Sequence, residues 1–499
     1  MSGADRATPY LPELMAGLSS QRVPRLPVQG VCGDSRRVRA GDVFVAVRGT
    51  RVDGARYAAE AVARGAVAVV AERPLAGLGV PCLVVQDAAS ALGHLCDRLR
   101  GRPSAAVRVT GVTGTNGKTT TSFLLAALFE SAGQRCGLLG TVVNRVGGRP
   151  RPARMTTPDA PELHEALAAA RSAGERDLVM EVSSHALDQR RVAGVRFRCG
   201  VFTNLTRDHL DYHGSLERYL DAKARLFELL PADGVAVLNA RDPASEVLAA
   251  RTTAHVLRYD PGGARLPAKA DVAARVLAED LSGTELDLRL GSRRRRLRLP
   301  LVGRFNVENA LAAATAAWAL GCDGEEVLAG LRRAPGVPGR LERVPAPAGP
   351  TVLVDYAHTP DALGRVAETL RPLVPAGGRL IVVFGCGGDR DRGKRPLMGA
   401  AAEAAADLCV VTSDNPRSEE PEAIIAEILA GLRAPKRARV HPDRREAIGA
   451  AIAAARPSDL VLIAGKGHER EQIVAGTALP FDDREVAAAA LRERARRAA

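Results

Sequence analysis

The sequence is poor in aromatic residues: Phe, Tyr and Trp make up 3% of 499 residues, and there is one Trp. Proteins that hold single-stranded nucleic acid stack bases on aromatic rings, so the scarcity argues against that class. None of the eight cysteines, at 32, 82, 96, 136, 199, 322, 386 and 409, stands in a CxxC pair. Several lie in apolar strand-like runs such as PCLVV and DLCVV, which reads as reduced, buried, small side chains rather than a zinc or redox motif. No uninterrupted apolar run reaches the ~18–20 residues of a membrane span, so no membrane insertion is expected. The N-terminal MSGADRATPYLPELMAG lacks the apolar core of a signal peptide, and a cytoplasmic protein is expected.

What is present is ordinary for a folded chain, with 46% hydrophobic and 25% charged residues. At about 100–200 residues per domain, the length predicts two to four domains. Lys plus Arg number 70 against 57 for Asp plus Glu, a net charge of +13. Such a charge suggests nucleic acid, acidic lipid or phosphorylated metabolites as partners, and composition does not choose among them.

Short apolar strands alternate with helical stretches along the whole chain, the pattern of α/β folds with parallel sheets. GRPSAAV at 101–107 and the Pro- and Gly-rich stretch near 335–350 read as linkers. They predict three α/β domains: a small one at 1–104, a central parallel-sheet domain of P-loop ATPase type at 105–338, and a Rossmann-like one at 339–499. The run Arg293–Arg296 sits in LDLRLGSRRRRLRLP. Its alternation reads as a β-hairpin with a charged outer face, and a nucleic-acid patch is the weaker alternative.

The most informative segment is VRVTGVTGTNGKTTTSFLLAALF at 107–129. A strand ends in a Gly-rich turn, then Lys118 and Thr119, then an apolar helix. Backbone N–H groups of Gly114, Thr115, Asn116, Gly117 and Thr120 can approach a polyphosphate, and the helix N-terminus favours its charge. Lys118 can reach the terminal phosphates, and the Thr119 hydroxyl can ligate Mg²⁺. The loop departs from GxxxxGK[ST], because Val112 stands where the first Gly falls. MEVSSHALDQRRV at 180–192 and NLTRDHLDYHG at 204–214 each follow a strand. Open α/β sheets bind ligands outside the carboxyl ends of their strands. Glu181 and His209 can therefore hold a second Mg²⁺ near the phosphates.

With YLDAKARLF at 219–227, GRFNVENALAA at 303–313, PGRLE at 338–342 and DYAHTPDAL at 355–363, the whole chain resembles the Mur ligase family, ATP-dependent amide-forming enzymes of peptidoglycan synthesis. The first block, DSRRVRAGDVFVAVRGTRVDG at 34–54, is similar to the UDP-sugar-binding domain of the members that add the third residue of the stem peptide. The resemblance implies UDP-N-acetylmuramoyl-L-alanyl-D-glutamate as one substrate, met by Ser35, Thr156, Thr157, Ser183, Gln189 and Arg191. It implies Asn306 and Asn309 near the adenine of ATP, Asp355 on the ribose, and Arg340 as a phosphate contact crossing between domains. It also implies that Lys223 carries a CO₂-derived carbamate, which would give Mg²⁺ oxygen ligands beside Thr119, Glu181 and His209. A surface helix lysine is the plainer reading of that residue.

Members of the family differ in adding meso-diaminopimelate or L-lysine. A carboxylate at the far end of the substrate calls for an arginine clamp, which repels a bare ammonium. Asp414-Asn415-Pro416-Arg417 resembles the diaminopimelate-type motif, and Arg390, Gly465 and Glu469 resemble further contacts to the amino acid. Acyl transfer through an acyl phosphate and a monomeric enzyme are expected. The rivals are a lysine-adding ligase, a folylpolyglutamate synthase, a nucleic-acid-binding P-loop ATPase and a non-catalytic nucleotide-binding scaffold.

Overall fold

The computed structural model describes residues 8–49, 52–263, 266, 269–346 and 349–498. Among the described residues, three large sheets follow one another along the chain, and a two-stranded hairpin comes after them. The first has four parallel strands in chain order, Gly30–Cys32, Asp42–Val45, Ala68–Ala71 and Cys82–Val84. Side chains of a strand point alternately to its two faces. Val43 and Val45 meet Leu14 and Leu95 on one face, while Phe44 and Val69 meet Ala58 and Ala61 on the other.

The second sheet has eleven strands. Arg108–Thr113 lies near its middle, parallel to Asp177–Glu181 on one side and Phe197–Phe202 on the other. Alternation again builds two cores. Val112, Val235 and Val237 face the helices Lys118–Ser131, Arg304–Ala319 and Gly324–Arg332. Val109, Ala236 and Leu238 face Ala160–Ser172, Leu216–Glu228 and Ala244–Ala250. The Ala-rich Arg304–Ala319 packs closely on Lys118–Ser131, the helix that follows the Gly-rich loop. At one edge Gly283–Leu290 and Arg293–Leu299 form the expected antiparallel hairpin. Three arginines of the run are paired: Arg294 with Asp287 at 2.6 Å, Arg293 with Asp323 and Arg295 with Glu325.

The third sheet has six strands. Leu460–Ala464 inserts between Thr351–Asp355 and Leu380–Phe384, parallel to both, and Leu408–Val411 continues the sheet. The carboxyl ends of these four strands therefore open side by side. The segments beginning at Asp355, Gly385, Thr412 and Gly465 emerge together, as ligand-binding loops of doubly wound sheets do. Among the described residues, no helix is long and apolar enough to cross a membrane.

Candidate active site

The loop after Arg108–Thr113 is tied down on every side. Gly114 has φ +146°, and a Cβ there would stand 1.9 Å from Thr203 Oγ1. A side chain is excluded by conformation and by space. Lys118 opens the following helix, and its Nζ donates to the carbonyls of Gly114 and Thr115, both at 2.8 Å. Burial pushes the Lys118 ammonium below its usual range, and the charges of Glu181 and Asp208 oppose that shift.

Glu181 is the last residue of its strand, and it is buried. Its Oε2 accepts from Thr119 Oγ1 and Thr141 Oγ1, both at 3.0 Å, and its Oε1 accepts from Thr141 N–H at 2.7 Å. Thr141 Oγ1 also reaches Thr156 Oγ1 at 3.1 Å. The strand end, the loop after Cys136–Leu139 and the Gly-rich helix thus converge on one carboxylate. Thr141 is a contact that sequence reasoning missed, because it sits in no motif.

His209 has φ +52°, and its Nε2 lies 3.4 Å from Asp208 Oδ2. Desolvation pushes its imidazole below the usual value. Lys223 is no surface lysine. It is buried on the inner face of Leu216–Glu228, its Nζ 4.0 Å from the centre of the Tyr219 ring. Desolvation first, and the nearby Lys118 charge second, push its ammonium well below the usual lysine range. Among the described residues it makes no ion pair.

Beside the loop lies a cavity of about 300 Å³, lined among others by Lys118, Glu181, Asn309, Arg340, Asp355 and Tyr356. Arg340 reaches it from the linker between the second and third sheets. Its Nη2 donates to Thr119 Oγ1 at 3.3 Å, and its guanidinium stacks 4.7 Å from the Tyr356 ring centre. Asp355 accepts from the N–H groups of Leu341 and Ala357 at 2.7 and 2.8 Å. Desolvation raises its carboxyl pKa. Asn309 accepts from Thr121 Oγ1, while Asn306 is buried behind it and donates to the Val302 carbonyl at 2.7 Å.

A larger cleft of about 1400 Å³ runs between the first and second sheets, with Arg36, Arg37, Arg48, Gln189, Arg191 and Tyr212 among its lining. Gln189 Oε1 accepts from Arg191 Nε and Nη2, and Arg191 Nη1 donates to the Thr157 carbonyl. Thr157 Oγ1 donates to the Glu181 carbonyl at 2.9 Å and lies 3.4 Å from Ser183 Oγ. Four expected residues, Gln189, Arg191, Thr157 and Ser183, therefore form one connected strip from the cleft to Glu181. Ser35 differs: it is buried and its hydroxyl donates to Glu60 at 3.1 Å, while its neighbours Arg36 and Arg37 line the cleft.

At the third sheet, Arg417 has φ +57°, and its Nη1 donates to the Gly388 carbonyl at 2.7 Å. A left-handed conformation costs a non-glycine residue roughly 1–2 kcal/mol, which is tolerated where the surroundings fix it. Asn415 Nδ2 donates to Glu469 Oε2 at 3.0 Å, and Asp414 faces Gly465 closely. Arg390 is exposed. The antiparallel hairpin Glu471–Val474 and Thr477–Pro480 braces the loop. Ile473 N–H donates to Asn415 Oδ1, Gln472 Nε2 to the Asp414 carbonyl, and Arg417 N–H to the Ile473 carbonyl. In the sequence this hairpin is marked by little more than the Ala475-Gly476 turn between two short runs.

Comparison with known proteins agrees with this geometry. Residues 27–100 match the Mur ligase family catalytic domain, 112–317 the Mur ligase middle domain, and 339–467 the Mur ligase glutamate ligase domain. The chain belongs to the Mur ligase family. It is 45% identical over 470 residues to the UDP-N-acetylmuramoyl-L-alanyl-D-glutamate--2,6-diaminopimelate ligase of Syntrophomonas wolfei, covering 93% of this chain and 95% of that one. The protein of the same name from Gloeobacter violaceus is 46% identical over 490 residues, covering 97% and 98%. A solved structure under that name superposes with a TM-score of 0.71 at 37% identity, over 98% of this chain and 100% of the other.

Proposed function

We propose that the two clefts and the third-sheet loops are the three substrate sites of a ligase that joins meso-diaminopimelate to UDP-N-acetylmuramoyl-L-alanyl-D-glutamate at the expense of ATP. The observation that carries this is the continuity of the site. The arginine-rich cleft leads through Thr157 and Ser183 to Glu181, and at the nucleotide cavity Glu181 accepts from Thr119, whose hydroxyl in turn accepts from Arg340.

In this reading the γ-phosphoryl group of ATP passes to the γ-carboxylate of the D-glutamyl residue, releasing ADP and leaving an acyl phosphate. The amine of diaminopimelate attacks the acyl carbon. A C–N bond forms, the C–O bond to phosphate breaks, and the amine gives up a proton. Lys118 and the N–H groups of residues 114–120 stabilise the charge that moves, the main source of rate in such transfers. Arg340 joins the third domain to the phosphates, so nucleotide binding and domain approach are linked.

The donor set suits Mg²⁺. Among the described residues no three His, Cys, Asp or Glu converge into a metal cage. Mg²⁺ does not need one, since it is commonly bound by one or two carboxylates plus substrate phosphates and water. Thr119 and Glu181 would hold one ion, and His209 with a carbamate on Lys223 would serve a second. Bound there, Mg²⁺ would neutralise phosphate charge and orient the transferred group. Burial that lowers the Lys223 pKa favours the uncharged amine, the form that can add CO₂, which supports the carbamate.

Arg417, Asp414, Asn415, Pro416, Arg390, Gly465 and Glu469 serve the amino acid, with Arg417 on its distal carboxylate. One chain supplies all three sites, so a monomer is sufficient. Substrates of this kind put the enzyme in the cytoplasm, with no call on nucleic acid. Phosphate release is the test, with ATP, UDP-muramoyl-dipeptide and diaminopimelate together, then with lysine in place of diaminopimelate. Release with the first set and little with the second is expected. Equal release with lysine overturns the choice of amino acid, and release with neither overturns the activity.

A further inference from the structure

We propose that Lys466 is a positioning residue for amino-acid selection: without touching the incoming amino acid, it locks Asn415 and Glu469 into one arrangement. The inference rests on the reading of the third-sheet loops as the amino-acid site.

Lys466 follows the strand Leu460–Ala464, and its side chain is 0% exposed. Its Nζ donates to Asn415 Oδ1 at 3.0 Å and to Glu469 Oε2 at 2.9 Å. Asn415 Nδ2 donates to the same Glu469 Oε2 at 3.0 Å. The three side chains close a triangle across two loops that are about fifty residues apart in the sequence. Ile473 N–H adds a second donor to Asn415 Oδ1 at 3.0 Å.

The donor and acceptor inventory makes this arrangement directional. Asn415 Oδ1 faces two donors and its Nδ2 faces a carboxylate, so the amide has one allowed orientation. Glu469 Oε2 accepts twice, which leaves Oε1 to meet a ligand. An ammonium withdrawn from water is costly unless it is paired and hydrogen-bonded. Here both acceptors come from residues of the amino-acid site, and packing alone would be served by an apolar side chain. Without Lys466, the carboxylate and the amide lose their shared donor and the pocket loses its fixed polarity.

The full-length protein is used, with phosphate release measured while each substrate is varied in turn. Lys466→Met is expected to raise KM for diaminopimelate about tenfold or more, with KM for ATP and UDP-muramoyl-dipeptide within about twofold of wild type. Lys466→Gln, which keeps a donor and drops the charge, should fall between. In a double-mutant cycle with Glu469→Gln the two effects should be clearly less than additive, because one acts through the other. A shift of all three KM values together, or additive effects, overturns the proposal. So does failure of both Lys466 variants to fold, which would make the residue structural. If the wild type proves to use another amino acid, the functional reading fails; the same KM comparison with that amino acid still tests Lys466.

Discussion

Arg444 and Asp483 form a bidentate ion pair with no exposure on either side, Nε to Oδ1 at 2.8 Å and Nη2 to Oδ2 at 2.7 Å. The same guanidinium donates to the carbonyls of Ser413 and Ala464, the residues just before Asp414 and Gly465. One buried cation thus ties the C-terminal helix to both amino-acid loops. Removing one partner of such a pair leaves an uncompensated charge, at a cost of about 3–5 kcal/mol. Asp483→Ala should lose stability of that order in the third domain, read by hydrogen exchange in Leu460–Ala464. The double variant Arg444→Met, Asp483→Leu should recover most of it while diaminopimelate binding stays weak. Recovery of both would mean that the arginine serves stability alone.

Glu181 accepts three hydrogen bonds, two of them from Thr141. Glu181→Gln keeps the shape and removes the charge. It should lower kcat by roughly 10²–10³, the usual scale for losing one charge-stabilising group. Thr141→Val should cost less, because the N–H donor and Thr119 remain. Equal losses in the two variants would show that Thr141 does more than orient the carboxylate.

Arg417→Ala should raise KM for diaminopimelate far more than KM for ATP. A bidentate clamp on a carboxylate acts only on the substrate that carries one. Arg417→Lys should not restore it, since an ammonium cannot reproduce the fork. A parallel fall in ATP affinity would remove Arg417 from the amino-acid site.

Lys223 shows where sequence reading stops. A lysine in YLDAKARLF has nothing local to mark it as buried, and helix position alone favours solvent. Only the packing of Leu216–Glu228 against the sheet turns it inward. The Gly-rich loop was legible because its chemistry is local: strand, glycines, Lys118 and Thr119 occupy one stretch. The alternation of strands and helices likewise gave parallel sheets without any long-range information. Thr141, Lys466 and Arg444 were illegible for the opposite reason. Each acts through a partner 39 or more positions away, a crossing of loops that no local pattern encodes. If Lys223 bears a carbamate, intact mass of folded protein in bicarbonate should exceed that in CO₂-free buffer by one CO₂. Lys223→Arg should abolish the difference, and an unchanged wild-type mass would rule the carbamate out.

The contact between the first and second domains carries a pH-dependent weakness. Asp97 and His164 are buried facing each other, Oδ1 to Nδ1 at 3.8 Å, and neither atom has a hydrogen-bond partner. Desolvation raises the Asp97 carboxyl from 3.8 to about 6 and lowers His164 from 6.5 to about 4. Both groups therefore prefer their neutral forms in the folded protein. For Asp97, the folded pKa is the higher one. Its contribution is fully present below pH 3.8 and is lost as pH rises to about 6, where the carboxylate must ionise without a donor. Asp97→Asn removes that ionisation. The variant should gain melting temperature over wild type at pH 7.5, with a smaller gain at pH 5 and little at pH 4. His164 titrates in both proteins, so its own charging below pH 6.5 largely cancels in the comparison. A gain that is equal at all three pH values, or absent at pH 7.5, would show that water or a rearranged Arg98 or Arg102 already satisfies the carboxylate.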